Sequence, residues 1–161
     1  MNAGHPAVGS PVGSPIGHWK FDEGSDNTCS GGTNDACNSG SQGSTLDGAQ
    51  SGMASPATST SGWTQSGKFG RGLLFDGTDD YIDLSNPSAL NISGAITLSA
   101  WVYPTTIGSN NRYILGNYNS GGTILQYGVY ITTSGVLTFN IGDTGCNEVY
   151  TSTATLAINN W

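Results

Sequence analysis

The stretch from Gly67 to Leu84, GKFGRGLLFDGTDDYIDL, constrains the fold more than any other part of the sequence. Alternation with a period of two is typical of a half-buried strand, and an Asp-Gly pair favours a tight turn. The stretch therefore predicts a β-hairpin that turns at Asp76-Gly77. Its apolar side chains occupy alternate positions on both sides of that turn, at Leu73, Phe75, Ile82 and Leu84.

The same alternation recurs along the chain. A sequence that contains 25 glycines and shows no sustained helical periodicity favours strands and turns over helices, so we expect an all-β protein. The clearest further segment is ITLSAWVYP, which places Ile96, Leu98, Ala100 and Val102 on one face and Trp101 and Tyr103 on the other. Other strands are expected over 18–21, near 45–46 and 63–64, and over 112–115, 125–132, 136–141 and 148–153.

Four blocks carry a family resemblance: WKFDEG at 19–24, GLLFDGTDDYI at 72–82, ITLSAWV at 96–102 and YGVYI at 127–131. In this order they resemble a laminin-G-like domain of the concanavalin A-like lectin/glucanase group, and the jelly-roll modules of large bacterial surface and secreted proteins. The resemblance covers 17–161 and implies an antiparallel β-sandwich of two sheets. Residues 1–16, rich in Pro, Gly and Ser, are expected to form a linker.

The family continues into further strands at the point where this sequence reads LAINNW. We therefore expect the jelly roll to be incomplete at its C-terminus. A sandwich that lacks strands exposes apolar inner faces and unpaired edges.

The charge balance narrows the choice of partners. The net charge is −7, and an acidic surface repels phosphate backbones, so nucleic acid is not an expected partner. No run of eighteen apolar residues occurs in the sequence, so no membrane span is expected. Neutral glycans, divalent cations and cell-surface proteins fit this surface.

The cysteines suggest an oxidising environment. Cys29 and Cys37 bracket the polar segment CSGGTNDAC and are expected to form a disulfide, which favours an extracellular or cell-surface location. The alternative is two unrelated thiols in a loop. The third cysteine, Cys146, has no assigned partner.

Clustered aspartates make a calcium site the candidate metal centre. Asp76, Asp79 and Asp80 crowd the expected hairpin turn, and carboxylates from glycine-rich loops are the ligands that calcium prefers. Several laminin-G-like domains and pentraxins carry calcium at loop rims, and the resemblance implies that the pentraxin-like equivalent falls near Asn117 and Asn119, where this sequence has amides. A second acidic group, at residues 22–26, is the less favoured candidate. The alternative is turn chemistry, in which Asp side chains bond neighbouring backbone amides.

Exposed aromatic side chains beside amides are the expected carbohydrate contacts, because pyranose rings stack on aromatic faces. The alternative is that these aromatic residues pack in the core, as strand aromatics usually do. The candidate contacts are Tyr103, Tyr118, Asn117 and Asn119.

Glycosidases of this fold need two carboxylates at a set separation. The only glutamates are Glu23 and Glu148, and neither lies in an E-x-D-x-E-like run, so we do not expect an enzyme. The predicted function is a non-catalytic extracellular module that binds a carbohydrate or a surface partner within a larger protein. The alternatives are a structural spacer of an adhesin and part of a glycosidase-like enzyme whose acid pair lies elsewhere.

Overall fold

A computed structural model describes residues 13–30, 32, 34–118, 124–143 and 146–161, with the backbone only at 118, 124–125, 143 and 146–148. All strand pairs are antiparallel, and the described helical structure is limited to two 3-10 turns, over Gly43–Leu46 and Ser88–Leu90. The predicted all-β class is confirmed, and the sheets are consistent with a partial β-sandwich. The chain divides after Ala89 into two compact units.

The N-terminal unit contains two small sheets built from four short strands. Strand β1 (Ala49–Ser51) pairs with β4 (Tyr81–Asp83), and β2 (Gly62–Thr64) pairs with β3 (Gly72–Leu74). The predicted strand near residues 63–64 is therefore present as β2. The 3-10 turn over Gly43–Leu46 occupies the position of the strand expected near residues 45–46, and that prediction is wrong.

The predicted hairpin between residues 67 and 84 is also wrong, although both of its strands exist. The strand before Asp76 is β3, which pairs with β2, and the strand after it is β4, which pairs with β1. The connection spans Phe75–Asp80, too long for a two-residue hairpin turn. The loop therefore carries the chain from one sheet to the other.

The first predicted strand, His18–Phe21, is reduced to a single bridge between Trp19 and Asn38. Phe21 adopts a φ of 56°, in the left-handed region, which ends the extended conformation. Trp19 still connects this segment to the 3-10 turn, because its indole Nε1 donates to the Leu46 carbonyl oxygen at 2.7 Å. Leu46 itself is fully buried.

The predicted disulfide between Cys29 and Cys37 is present, with the two Cα atoms 5.1 Å apart. Cys29 and the neighbouring Ala36 are both buried. Asp35 lies within the loop and holds it in place. Its carboxylate accepts the backbone N–H groups of Asn27 at 2.7 Å and Gln50 at 2.8 Å. These contacts stabilise a part of the unit that contains no long strand.

The C-terminal unit contains one four-stranded sheet in the order β5-β6-β7-β8. The strands are β5 (Arg112–Tyr118), β6 (Ile124–Ile131), β7 (Val136–Asp143) and β8 (Cys146–Thr155). All four were predicted, β5, β7 and β8 with shorter bounds and β6 with bounds shifted by one residue. A bulge in β5, between Tyr113 and Leu115, shifts its register against β6.

Cross-strand register brings the apolar residues of β6 and β7 onto one face. Tyr127 pairs with Ile141, Val129 with Phe139 and Ile131 with Leu137. Directly opposite residues project to the same side of a sheet, so the alternating sets of the two strands form a single apolar face. Tyr127 and Ile131 on this face are 5% exposed.

The segment 96–103 was predicted to be a long strand, and the structure assigns none there. Burial still alternates along part of it, with Ile96, Leu98 and Val102 half-buried and their immediate neighbours exposed. A strand needs a ladder partner, and none of the described strands pairs with this segment. Leu98, Ala100 and Val102 of the segment instead line an open groove of about 420 Å³ beside Val129 and Leu137.

The described residues include no helix with the length and apolar character needed to span a bilayer.

Candidate functional site

The aspartates of the loop between β3 and β4 come together as the sequence predicts. Asp76, Asp79 and Asp80 each offer a carboxylate oxygen, and these oxygens lie within 4.8 Å of one another. Asp76 and Asp79 are exposed and Asp80 is half-buried. Among the described residues, these are the three acidic side chains that converge in this way.

Hydrogen bonds within the loop hold two of the three carboxylates in place. Asp80 Oδ2 accepts the backbone N–H of Asp76 at 2.8 Å, and Asp76 Oδ1 accepts the backbone N–H of Thr78 at 2.7 Å. The turn chemistry expected as the alternative is therefore present. It does not use every oxygen, because Asp80 Oδ1 is buried and has no hydrogen-bond partner.

Gly52, which follows β1, allows Asp79 to come close to the backbone. Its φ is 74°, and a Cβ added there would lie 2.4 Å from the Asp79 carbonyl oxygen and 3.1 Å from the Asp79 Cγ. Only a residue without a Cβ allows this approach, and glycine also adopts a positive φ without strain. The position of Asp79 thus depends on a residue far away in the sequence.

The second acidic group, at residues 22–26, is used for internal contacts. Asp26 accepts hydrogen bonds from the Trp63 indole at 2.9 Å and from the Ser55 hydroxyl. Glu23 Oε1 accepts the backbone N–H of Cys37 at 3.3 Å. Arg71 donates to the carbonyl oxygens of Asp22 and Glu23, at 3.3 and 3.0 Å. These contacts fasten the loop and do not bring its carboxylates to one point.

The predicted carbohydrate contacts are scattered. Tyr103 is 44% exposed and lies against Trp161, with ring centroids 5.3 Å apart. Asn117 is 7% exposed, and its Nδ2 donates to Asn91 Oδ1 at 3.3 Å. The side chain of Tyr118 and the whole of Asn119 lie outside the described residues. The role of the four residues in binding stays a prediction.

One aromatic pair was missed in the sequence. Tyr113 of β5 and Tyr130 of β6 lie opposite each other, with ring centroids 5.3 Å apart. Both residues belong to segments predicted to be strands, but their pairing depends on the register across the β5 bulge. The spacing of side chains along a single strand carries no signal of that register.

The fold places the chain among antiparallel all-β proteins, and comparison with known families makes the assignment more specific. The profile of the concanavalin A-like lectin/glucanases superfamily matches residues 76–161, slightly more than half of the chain. The chain belongs to this superfamily, as the resemblance implied.

A solved structure shares the fold. It is the S-layer domain-containing protein (residues 221–444) from Clostridium thermocellum ATCC 27405, with a TM-score of 0.61 and 20% sequence identity. The alignment covers 90% of this chain and 60% of that structure, so this chain spans less than two thirds of its length. No curated protein matches the sequence.

Proposed function

We propose that this chain is a non-catalytic, carbohydrate-binding module of a secreted or cell-surface protein, with a calcium ion held by Asp76, Asp79 and Asp80. The observation that carries the proposal is the convergence of three carboxylates within 4.8 Å in a member of a lectin-containing superfamily. A disulfide in the N-terminal unit supports the location outside the cytoplasm.

The donor set of the loop fits calcium. Calcium takes six to eight oxygen ligands, and carboxylates with loop carbonyl groups are its usual partners. Asp80 Oδ1 is buried without a hydrogen-bond partner, and a cation beside it would satisfy that oxygen. The charge of the ion would also offset the repulsion among three neighbouring carboxylates. Bound calcium would order the loop, while the protein's own aspartates determine where the ion sits.

A binding role fits the chemistry better than hydrolysis. Of the two glutamates, Glu23 is already engaged with the Cys37 backbone and has Arg71 on its own carbonyl. Retaining hydrolysis needs two carboxyl groups about 5–5.5 Å apart that flank a substrate cleft. The aspartates that do converge lie on one loop and bond to that loop's own backbone, which suits a cation better than a glycosidic bond.

A glycan array tests the proposed function directly. The protein is applied to the array in calcium and, separately, in EDTA. We expect it to bind neutral glycans and to leave them uncleaved. A protein that binds calcium but no glycan would instead be a structural spacer, and release of shortened oligosaccharides would show an enzyme. Either result contradicts the proposal.

A further inference from the structure

Two loops of the N-terminal unit contact the short strand β1 from its two ends. One is closed by the Cys29–Cys37 disulfide, and we call it the cystine loop. The other is the connection between β3 and β4, residues 75–80, which we call the aspartate loop. β1 spans Ala49–Ser51, and three residues of strand are about 10 Å long. A displacement of β1 at the cystine loop therefore reaches the aspartate loop over a short distance.

The cystine loop holds the start of β1 through hydrogen bonds to the backbone. Ala36 and Gly48 bond each other's N–H and carbonyl groups, at N···O distances of 3.0 and 2.9 Å, and the N–H of Asp35 donates to the same Gly48 carbonyl oxygen at 2.9 Å. The Asp35 carboxylate accepts the N–H of Gln50 at 2.8 Å. Asp35 and Ala36 are both buried. The two residues directly before Cys37 thus set the position of the start of β1.

The carboxylate of Asp35 depends on the cystine loop for its orientation. Asp35 is 7% exposed, and its other carboxylate oxygen accepts the N–H of Asn27, two residues before Cys29. Such hydrogen bonds stabilise a buried carboxylate, and bonds to a charged acceptor are about twice as strong as neutral ones. Because the disulfide closes the loop around Asp35, it restricts the conformations that would turn this carboxylate away from Gln50.

The end of β1 contacts the residues that carry two of the three clustered carboxylates. Gly52 lies so close to Asp79 that an added Cβ would be 2.4 Å from the Asp79 carbonyl oxygen. Ser51 pairs with Tyr81, the residue directly after Asp80. A displacement of β1 therefore changes the distances among the carboxylate oxygens, which lie within 4.8 Å of one another. Calcium affinity depends on these distances, because its oxygen ligands must lie about 2.3–2.6 Å from the ion.

The disulfide has two chemical states, and they differ in how tightly they hold the cystine loop. A dithiol such as dithiothreitol opens the bridge by two thiol–disulfide exchanges. The S–S bond breaks, each cysteine sulfur takes up an electron and a proton, and the dithiol, which supplies both, leaves as a cyclic disulfide. Once the bridge is open, more conformations are accessible to the loop, and its local opening costs less free energy. Reduction therefore weakens the contact of Asp35 with β1.

We propose that the Cys29–Cys37 bridge controls the calcium affinity of the aspartate loop, with Asp35 as the positioning residue that connects the two. While the bridge is closed, β1 keeps Asp79 and Asp80 in place for the ion. When a dithiol opens the bridge, the aspartate loop binds calcium more weakly. Disulfides persist in oxidising compartments, so the protein acquires its full calcium affinity outside the cytoplasm. This inference rests on the calcium ion of the proposed function and adds a redox dependence to it.

Calorimetric titration of the whole chain with calcium chloride tests this inference. The dissociation constant is measured for the oxidised wild type, for the wild type reduced with dithiothreitol, and for two variants. Cys29→Ala combined with Cys37→Ala removes the bridge without a reductant, and Asp35→Asn removes the charge of the positioning carboxylate at nearly constant size. The matched control is Asp26→Asn, because the Asp26 carboxylate also accepts two hydrogen bonds in this unit, from side chains that lie outside β1.

We expect reduction, the double variant and Asp35→Asn each to weaken calcium binding about fivefold or more, while Asp26→Asn binds as the wild type does. In the same three cases, hydrogen exchange of the calcium-free protein should be faster at Gln50 and Gly52. Thermal melts identify any variant that fails to fold, and the reduced wild type contains no substitution. Equal dissociation constants for the oxidised and reduced wild type, or an equal loss in Asp26→Asn, would overturn this inference and leave the calcium site standing. Absence of calcium binding to the oxidised wild type would overturn both.

Discussion

The indole Nε1 of Trp63 donates to the carboxylate of Asp26 at 2.9 Å, although 37 residues separate them. The second oxygen of that carboxylate accepts the hydroxyl of Ser55. One carboxylate thus connects the loop at residues 22–26 to β2 and to the segment before it. In a unit whose strands are three residues long, such side-chain contacts replace much of the ladder.

Replacement of Asp26 tests how much this contact stabilises the protein. Asp26→Ala removes two hydrogen bonds and leaves the Trp63 N–H without an acceptor, so we expect a loss of about 2–3 kcal/mol in the free energy of unfolding. Urea denaturation followed by tryptophan fluorescence measures it. Asp22→Ala, an exposed aspartate of the same loop, is expected to cost less than about 0.5 kcal/mol. Equal losses in the two variants would show that the contact contributes nothing specific.

The aspartate loop predicts that the effect of Asp79→Asn on stability changes sign when calcium is added. Without calcium, Asp79→Asn is expected to be neutral or slightly stabilising, because it removes one of three neighbouring negative charges. With calcium at about 100 times its dissociation constant, the wild type should gain about 2.7 kcal/mol and the variant much less. Melting temperatures in calcium and in EDTA measure both effects.

Asp22→Asn is the matched control for the calcium experiment, since it makes the same charge change outside the cluster. It should respond to calcium as the wild type does. A wild-type melting temperature that calcium leaves unchanged would contradict the proposed site.

Gly52 gives a test of the geometry around Asp79. Gly52→Ala places a methyl group 2.4 Å from the Asp79 carbonyl oxygen at a φ of 74°, so the backbone must move. We expect a loss of about 2 kcal/mol or more, of which the left-handed conformation alone accounts for about 1–2 kcal/mol. The control is Gly43→Ala, where φ is also positive and nothing lies within 4 Å of the added carbon. If both variants lost equal stability, the contact with Asp79 would have no effect.

Tyr127 predicts a loss of stability at alkaline pH. Burial raises the pKa of its hydroxyl above the usual 10.0, and the hydroxyl donates to the Leu90 carbonyl oxygen at 2.9 Å. The folded protein therefore binds this proton more tightly than the unfolded chain does. The stabilisation is complete below about pH 10 and falls as the pH rises through the raised pKa in the folded state.

Urea denaturation from pH 8 to pH 11 measures the effect of Tyr127. Tyr127→Phe should show a weaker decline than the wild type, whereas Tyr103→Phe, at an exposed tyrosine, should decline as the wild type does. If the free energy of unfolding of all three proteins declined in parallel with pH, the raised pKa of Tyr127 would be contradicted.

The strands of the C-terminal unit could be predicted because alternation is a local property. Leu137, Phe139 and Ile141 show by their spacing which side of β7 is apolar, whatever its neighbour is. The partners of β3 and β4 could not be predicted in this way. Pairing of Gln50 with Ile82 depends on contacts between distant segments, and three-residue strands give little pattern from which to infer it.

The candidate sites also differ in whether their residues are close in the sequence. Asp76, Asp79 and Asp80 are close in the sequence, so their clustering was evident before the structure. The closeness of Gly52 to Asp79 and the meeting of Tyr113 with Tyr130 depend on backbone approach and cross-strand register, which composition and spacing do not encode. The disulfide was accessible to prediction because only eight positions separate its cysteines.

The order of strands β5 to β8 has a kinetic consequence. Each strand pairs with the next one along the chain, so every ladder of that sheet forms by closing a short connection. The pairing of β1 with β4 must close a much longer loop, which includes β2 and β3. Because low contact order speeds folding, we expect the C-terminal meander to acquire its hydrogen bonds before the β1–β4 sheet of the N-terminal unit, against the direction of synthesis.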